Sequence, residues 1–590
     1  MDRTVVPARL PIAATLLVTS WLWSCSPTGT GDRGPTAVEA TGIVLITVAG
    51  LVPEHCSVYG GPLAVPPLDA LAASGTAWTD AWTVTPMARP ALASYITGLA
   101  PDRHGVIDDY RSRLAPDTET LATLLSGNGF RSAAFPGSSH LGRDSGLLRG
   151  FDLVDAPADH PAGARGRVPI ISPAKEQADN FSGWLATIAE GDRFFGWVHL
   201  SQPLLAQMER DKEDAAKRLE EFNEALGIVL GALDARGDAD DTAVVVAGLL
   251  GDVSGGEDGL PGVGMSLHER ALQVPVIARF PSRTATIRAA ADIVWSPDVA
   301  ITLAALGGVG LPETEGIDLR RSAPADRIVR AWSWATFSEF GWRPQRAARR
   351  GPWKRVEGLI ESTASVVDPA AAVDPAVEEI LTQALASRPM PLPPTVPLDS
   401  LQPILEELGV DLEPHPAAGR DFGSAATRRE VAEKVWVSRK RLHWRRWRPA
   451  MRSLREAREI DPDCLACGID LGMSSLGIEA GTELLTEMVR RYPHVPDVLH
   501  GFAHAIWEEQ WEQGERILLE VLPYRENDGD LLYDLACARS RAGELDRSEQ
   551  LLRTAIDAGY REWEQMDVDP DLRNLRESGR FSEVRKDYNQ

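Results

Sequence analysis

The side chains with reactive chemistry are few and scattered. Three histidines, His55, His104 and His199, lie near apolar runs, and a Gly-rich stretch carries Asp252, Glu257, Asp258, His268 and Glu269. Carboxylates and imidazoles grouped closely can hold a divalent cation, which asks for several oxygen or nitrogen ligands. His104 sits in a turn-like segment and His199 ends a strand-like run, so both read as structural groups. Cys464 and Cys467 form one C-x-x-C. A zinc site needs four ligands and no second pair is near, so metal is not implied. Two small residues packing on a helix is the simpler reading, and a disulfide is the alternative. Cys56 follows a strand-like run and Cys537 takes a small-residue helix position. Arg439, Lys440, Arg441, Arg445, Arg446 and Arg448 alternate with Trp436, Trp444 and Trp447. In a basic chain this pattern suggests nucleic acid, and beside anionic lipid it suggests a membrane. Here it reads as a solvated helix face whose tryptophans pack on the next hairpin.

The elements that would position these residues divide the chain in two. From Gly42 to about Arg320, apolar runs at 42–48, 131–135, 194–199, 242–248 and 274–280 alternate with helical patterns at 67–73, 118–126, 174–189, 211–235 and 297–305. Short continuous apolar runs suit strands buried on both faces. Their alternation with helices predicts an α/β layered domain with a mostly parallel sheet, and any site at the carboxyl ends of its strands. A smaller subdomain begins near residue 325. A Pro-rich linker is expected over 388–424. From 425 to 590 the pattern is helical and repeats. Ala450, Leu454, Ala457 and Pro462 fit the second helix and exit of a tetratricopeptide hairpin, as do Leu532, Leu535, Ala536, Ser548, Leu552 and Ala555. About four hairpins stacked into a short solenoid are expected, closed by a cap containing Leu575 and Phe581.

The chain has 590 residues and a net charge of -24, from 61 Lys and Arg against 85 Asp and Glu. That balance excludes nucleic acid as the main partner, because phosphate backbones bind net positive surface. Five cysteines exclude a disulfide scaffold. At the N-terminus, Arg3 and Arg9 precede an apolar stretch, Leu10 to Trp23, too short to span a bilayer comfortably. Its ending, Leu22-Trp23-Ser24-Cys25, resembles a bacterial lipobox. A signal peptide over 1–24, lipidation of Cys25 and a polar tether over 25–41 are expected. This places the protein in a bacterial cell envelope, bound to the membrane by its N-terminal lipid.

The α/β part resembles the sulfatase branch of the alkaline-phosphatase superfamily. Ile43-Val-Leu-Ile-Thr-Val48, Tyr59-Gly60 and Pro67-Leu-Asp-Ala-Leu-Ala-Ala73 look like the opening strand and first helix. Pro90-Ala-Leu-Ala-Ser-Tyr-Ile-Thr-Gly98 and then Pro101-Asp-Arg-His-Gly-Val106 together look like the nucleophile helix. Leu267-His-Glu269, Val274-Pro-Val-Ile277, Phe340-Gly-Trp342 and Gly351-Pro-Trp-Lys354 also fit. The resemblance spans roughly residues 42–410 and, with the repeats, looks like the sulfatase-plus-tetratricopeptide proteins of bacterial envelopes. It implies calcium held by carboxylates, a Cys, Ser or Thr nucleophile with an Arg beside it, and histidines or lysines around the sulfate. The cation lowers the nucleophile's pKa and neutralises ester oxygens, and cationic donors hold the developing charge.

The matching positions carry other residues. Ala49 and Gly50 stand where two acidic metal ligands follow the first strand, and Leu249 and Leu250 where an Asp-His pair is expected. Ala88 takes the nucleophile's place and Leu92 that of the Arg or His two residues beyond Pro90. Gln202-Pro203-Leu204 replaces Asp-Pro-His. Thr85 and Ser94 are hydroxyls at the wrong offset from Pro90. Gln202 alone does not furnish the six to eight oxygens typical of calcium. The Gly-rich stretch with Asp252 to Glu269 corresponds to a solvated excursion in the family. The expectation is a catalytically degenerate sulfatase-fold lipoprotein without cofactor, which binds a protein partner through its repeats. The alternative is an active sulfuric or phosphoric ester hydrolase with a non-standard site.

Overall fold

Apolar β-branched runs build the central sheet. In the computed structural model it has seven strands: β1 (Gly42–Ala49), β2 (Thr76–Trp78), β4 (Arg131–Phe135), β5 (Leu153–Val154), β6 (Phe194–Leu200), β7 (Thr242–Leu250) and β8 (Val276–Arg279), in the order β2-β8-β7-β1-β6-β4-β5. β1 pairs parallel with β6 and β7, and β4 parallel with β5 and β6, whereas β8 and β2 run antiparallel at one edge. β3 (Ala81–Trp82) pairs with β9 (Val294–Trp295) beside it. The described residues are 40–588 except 110–111, 143–144, 158–168, 210, 256–259, 283–289, 359–362, 367–373, 389, 391–394, 414–423, 475–477, 527, 559 and 561. Cys25 and the N-terminal segment expected as signal and tether lie outside them, as do Glu257 and Asp258.

Alternate side chains of each strand enter opposite layers. Ile43, Leu45, Phe195, Trp197 and Val245 pack on the helices Ala88–Thr97, Leu121–Gly127 and Ser296–Leu306. Val44, Ile46, Val198, Val244 and Val246 face the helices Pro66–Ala73, Ala174–Leu185 and Lys212–Asp234. The sheet is thus buried on both faces, which is why its strands read as continuous apolar runs.

A second sheet comes after it in the chain: β10 (Val329–Ser333), β11 (Gln345–Arg350), β12 (Trp353–Glu357) and β13 (Thr363–Val366), all antiparallel. It is tied to the main sheet by charge. Arg349 donates to both oxygens of Asp80 at 2.7 Å, and Lys354 donates to Glu269 at 3.2 Å. Trp82 Nε1 donates to the same Glu269 at 2.7 Å.

Four helical hairpins come next: Ala425–His443 with Trp447–Ile460, Leu465–Ser474 with Ile478–Arg491, Pro496–Ala505 with Trp507–Val521, and Gly529–Arg541 with Leu545–Asp557. Short helices carrying Leu572, Leu575 and Phe581 close the stack. Two expectations need correction. The Pro-rich stretch is more than a linker: it contains the helix Leu398–Glu407, whose Leu401, Ile404 and Leu405 join the solenoid core. An apolar face of period 3.6 outweighed the flanking prolines. Cys464 and Cys467 are not merely packing residues but a disulfide. The turn into the helix brings the two sulfurs within bonding reach.

The solenoid packs on the α/β part, and residues 37–590 form one compact unit. Met87, Met265, Phe340 and Trp342 share a core with Val431, Ala432, Val435, Leu454 and Ala457. Trp342 Nε1 donates to Asp461 at 3.1 Å, and Arg439 bridges Glu339 at 2.9 Å and Asp470 at 2.5 Å.

Candidate functional site

The parallel register carries β1 and β7 to a common carboxyl end. A shift between Val48 and Ala49 sets Ala49 opposite Leu250, and the Gly50 N–H donates to the Leu250 carbonyl at 2.9 Å. Gly50 has φ +78, and a Cβ built on it would meet Leu204 Cα at 2.5 Å and Leu204 N at 2.6 Å. No side chain fits there without displacing the backbone of the helix Gln202–Met208. Gln207, on that helix, holds the three segments together. Its amide donates to the carbonyls of Gly50 (2.7 Å) and Gly251 (3.2 Å) and accepts from the Val253 N–H (2.9 Å).

Ala88 opens the helix Ala88–Thr97 at the same end of the sheet. Ala49, Ala88, Leu204 and Leu250 line one cavity of about 130 Å³. Leu92 and Leu249 are fully buried in the apolar layer on that face. Five of the seven positions singled out by the resemblance, Ala49, Gly50, Ala88, Leu204 and Leu250, therefore meet at one place, though they span about two hundred residues of chain. Gln202 is buried nearby with its Oε1 unpartnered. These residues do not fit calcium: the backbone of Leu204 occupies the space a side chain at position 50 would need, and no group of three or more His, Cys, Asp or Glu able to hold a metal occurs among the described residues.

Polar groups remain on one side of the cavity. His199 Nδ1 lies 2.9 Å from Thr47 Oγ1, and its Nε2 lies 2.8 Å from Ser201 Oγ. A serine beside a histidine is the arrangement that activates a nucleophile. Burial, however, pushes the His199 pKa down to about 3, so the ring is a poor base. The orienting group is a hydroxyl rather than a carboxylate. Asp109 also lines the cavity. Burial raises its carboxyl to about 6, against the opposing pull of the Arg89 N–H, which donates to it at 2.7 Å. Arg89 itself is buried and spends its guanidinium on the carbonyls of His140 (2.6 Å) and Ser112 (3.1 Å). His140, Ser138, Ser201 and the Glu339–Arg439 pair also line it.

The remaining candidates are placed elsewhere. His104 is buried between Ser94 Oγ (3.1 Å) and the Val106 N–H (3.1 Å), a structural role, and burial lowers its pKa to about 3. Thr85 is buried, and Ser94 is occupied with His104 and the Pro90 carbonyl. His55 is exposed and meets Arg270. Asp252 pairs with Arg270 and caps the Ser254 N–H. His268 precedes a short helix, and Glu269 is committed to Trp82, Arg349 and Lys354. Asp252 and Glu269 thus form structural ion pairs.

Several site residues escaped the sequence reading. His140 and Ser138 come after β4, a parallel strand, and the rule that sites lie at strand carboxyl ends points to them. Ser201 and Gln207 come after β6 in the same way. Asp109 and the cavity's roof carry no such signal. The roof belongs to the solenoid: Ala432, Val435, Trp436 and Arg439 of the helix Ala425–His443 line the cavity from that side. Trp436 was expected on the next hairpin, but it packs against the apolar layer of the α/β part. The expected solvated arginine face is likewise broken, since Arg439 is mostly buried between two carboxylates.

Residues 42–309 match the family model Sulfatase. No curated protein matches the chain. Among solved structures, the chain is similar to the phosphonate monoester hydrolase of Agrobacterium radiobacter, at 18% identity over 59% of this chain and 95% of that one, with a TM-score of 0.46. It is similar to a 2-O GAG sulfatase at 18% identity, over 59% and 91%, with a TM-score of 0.46. It is also similar to Ps i-CgsB, solved with k-i-k-neocarrahexaose, at 18% identity, over 58% and 91%, with a TM-score of 0.47.

Proposed function

We propose that this chain, whose residues 42–309 form a sulfatase-family domain, is a non-catalytic envelope lipoprotein that binds a protein partner through its helical repeats. One observation carries the loss of catalysis. At Gly50, where the family places an acidic metal ligand, a Cβ would collide with the backbone of Leu204, so the position is closed and not merely substituted. Ala88 offers no nucleophile, and Arg89 and Arg439 are engaged within the protein. The repeats support the partner role, since stacked hairpins present an extended concave surface. Lipidation of Cys25 supplies the anchor.

A second reading has a specific observation in its favour. Ser201 and His199 hydrogen-bond at 2.8 Å in the wall of the cavity, and an ester hydrolase could use that pair. The test of both readings is turnover by the purified full chain on aryl sulfate, phosphate monoester and phosphonate monoester substrates, with and without calcium. No turnover above the Ser201→Ala variant is expected. Turnover abolished by Ser201→Ala establishes the second reading, and calcium-dependent turnover that survives it overturns the proposal. For the partner role, the full chain and residues 42–387 serve as baits in envelope extracts. Equal recovery by the two baits removes the repeats from the interaction.

A further inference from the structure

We infer that the cavity beneath Trp436 is a binding site for a small, uncharged, largely apolar molecule, with the first hairpin of the repeats as one of its walls. This goes beyond the partner role of the repeats and rests on the reading that the family's anion site is gone.

The lining dictates the class of ligand. Ala49, Ala88, Leu204 and Leu250 form the floor, and Ala432, Val435 and Trp436 form the roof. Three methionines, Met87, Met208 and Met265, stand in the walls with Phe340. Methionine side chains are unbranched and polarizable, and adapt to apolar guests of varied shape. An anion finds no counterpart here. Arg439 reaches the lining but lies between Glu339 and Asp470. His199 is held neutral by burial, and Asp109 adds negative rather than positive character. The polar edge, where Ser138 and Ser201 reach the lining, offers hydrogen bonds to a single uncharged group.

Size narrows the class further. The cavity measures about 130 Å³. Engineered apolar cavities of about 150 Å³ stay dry and take benzene. A single aromatic ring or a short aliphatic segment therefore matches the space. Because the floor comes from the α/β part and the roof from the repeats, the guest touches both.

The experiment uses the full chain with fluorobenzene as the probe, monitored by ¹⁹F NMR line broadening and by the thermal unfolding midpoint. Saturable binding to one site and a raised midpoint are expected, with no displacement by sodium sulfate. Ala88→Leu fills the cavity from the floor and Val435→Phe from the roof. Each should weaken fluorobenzene binding at least tenfold while circular dichroism stays unchanged. If one variant does not fold, the other and the sulfate competition still decide the matter. Absence of saturable binding to the unmodified chain overturns the inference. So does displacement by sulfate, or undiminished binding by a folded variant, which would put the probe elsewhere. Ester turnover is a separate readout: its appearance would refute the non-catalytic reading without touching fluorobenzene binding.

Discussion

Gly50→Ala tests the closed position most directly. The new methyl carbon would lie 2.5 Å from Leu204 Cα and 2.6 Å from Leu204 N, both backbone atoms of a helix that Gln207 holds in place. The left-handed φ of +78 adds a second penalty. A left-handed L-residue costs roughly 1–2 kcal/mol, and overpacking a filled interior costs a further ~1–3 kcal/mol. The loss should therefore be about 2–5 kcal/mol. Gly60→Ala is the matched control: its φ is +87, but a Cβ there meets nothing within 4 Å. It should show only the backbone penalty, about 1–2 kcal/mol. Urea unfolding of the three proteins, monitored by tryptophan fluorescence and circular dichroism, reads the difference from the midpoints provided the slopes agree. If Gly50→Ala is no worse than Gly60→Ala, the position is not closed. If calcium stabilises Gly50→Asp, the position still accepts a metal ligand and the non-catalytic reading fails with it.

Four further outcomes are expected. Glu269→Ala leaves Arg349 and Lys354 short of a buried partner and should cost about 3–5 kcal/mol in urea unfolding, although Glu269 lies in the acidic stretch that could have been taken for a metal site. Asp109, raised to about 6 by burial, contributes stability that is full below its unfolded value of 3.8 and lost as pH rises through 6. Asp109→Asn should therefore raise stability above pH 6, by up to about 3 kcal/mol at 1.36 per pKa unit. His104 and His199, lowered to about 3, act with the opposite sign: their contribution is full above 6.5 and lost as pH falls towards 3, so the thermal midpoint of Asp109→Asn should fall more steeply on acidification than that of the parent. Trp436→Ala should speed hydrogen exchange in the helix Ala425–His443 while leaving exchange in β1 unchanged, and equal acceleration in both would refute local docking. Cys25→Ala should release the protein from membranes, and retention after a carbonate wash would assign the anchor to the uncleaved apolar segment.

The sheet was legible because burial on both faces leaves a plain signature. Residues 131–135 appear as a strand with those same bounds, and 42–48 and 242–248 extend by one or two residues to Ala49 and Leu250. Ala49 and Leu250 matter, because both line the floor of the cavity. The helical repeats were legible from small residues at fixed spacing: Ala450, Leu454 and Ala457 are all buried. The site was legible only as a set of positions. The resemblance to the family's motifs located Ala49, Ala88, Leu204 and Leu250, but not what covers them. The contact of Trp436 with the sheet domain joins elements hundreds of residues apart, and no local pattern encodes it. The disulfide of Cys464 and Cys467 depends on how the chain enters a helix, which spacing alone leaves open.

On the non-catalytic reading, the small and apolar residues at positions 49, 50, 88, 92, 204, 249 and 250 have a common physical cause. A metal site is a cluster of carboxylates made tolerable by its cation. Once affinity for the cation is lost, each remaining carboxylate becomes a buried, repelling charge whose retention costs stability. Exchange for packed apolar groups is often neutral or favourable, by roughly 1–4 kcal/mol in measured cases of buried ion pairs. On the non-catalytic reading the first loss favours the next, and small or apolar residues come to occupy the ligand positions. An apolar mouth at the end of a sheet is in turn a surface on which a neighbouring helix can bury a tryptophan, and the helix Ala425–His443 does so with Trp436. The core shared by Met87, Phe340, Val435 and Leu454 holds that helix against the α/β part.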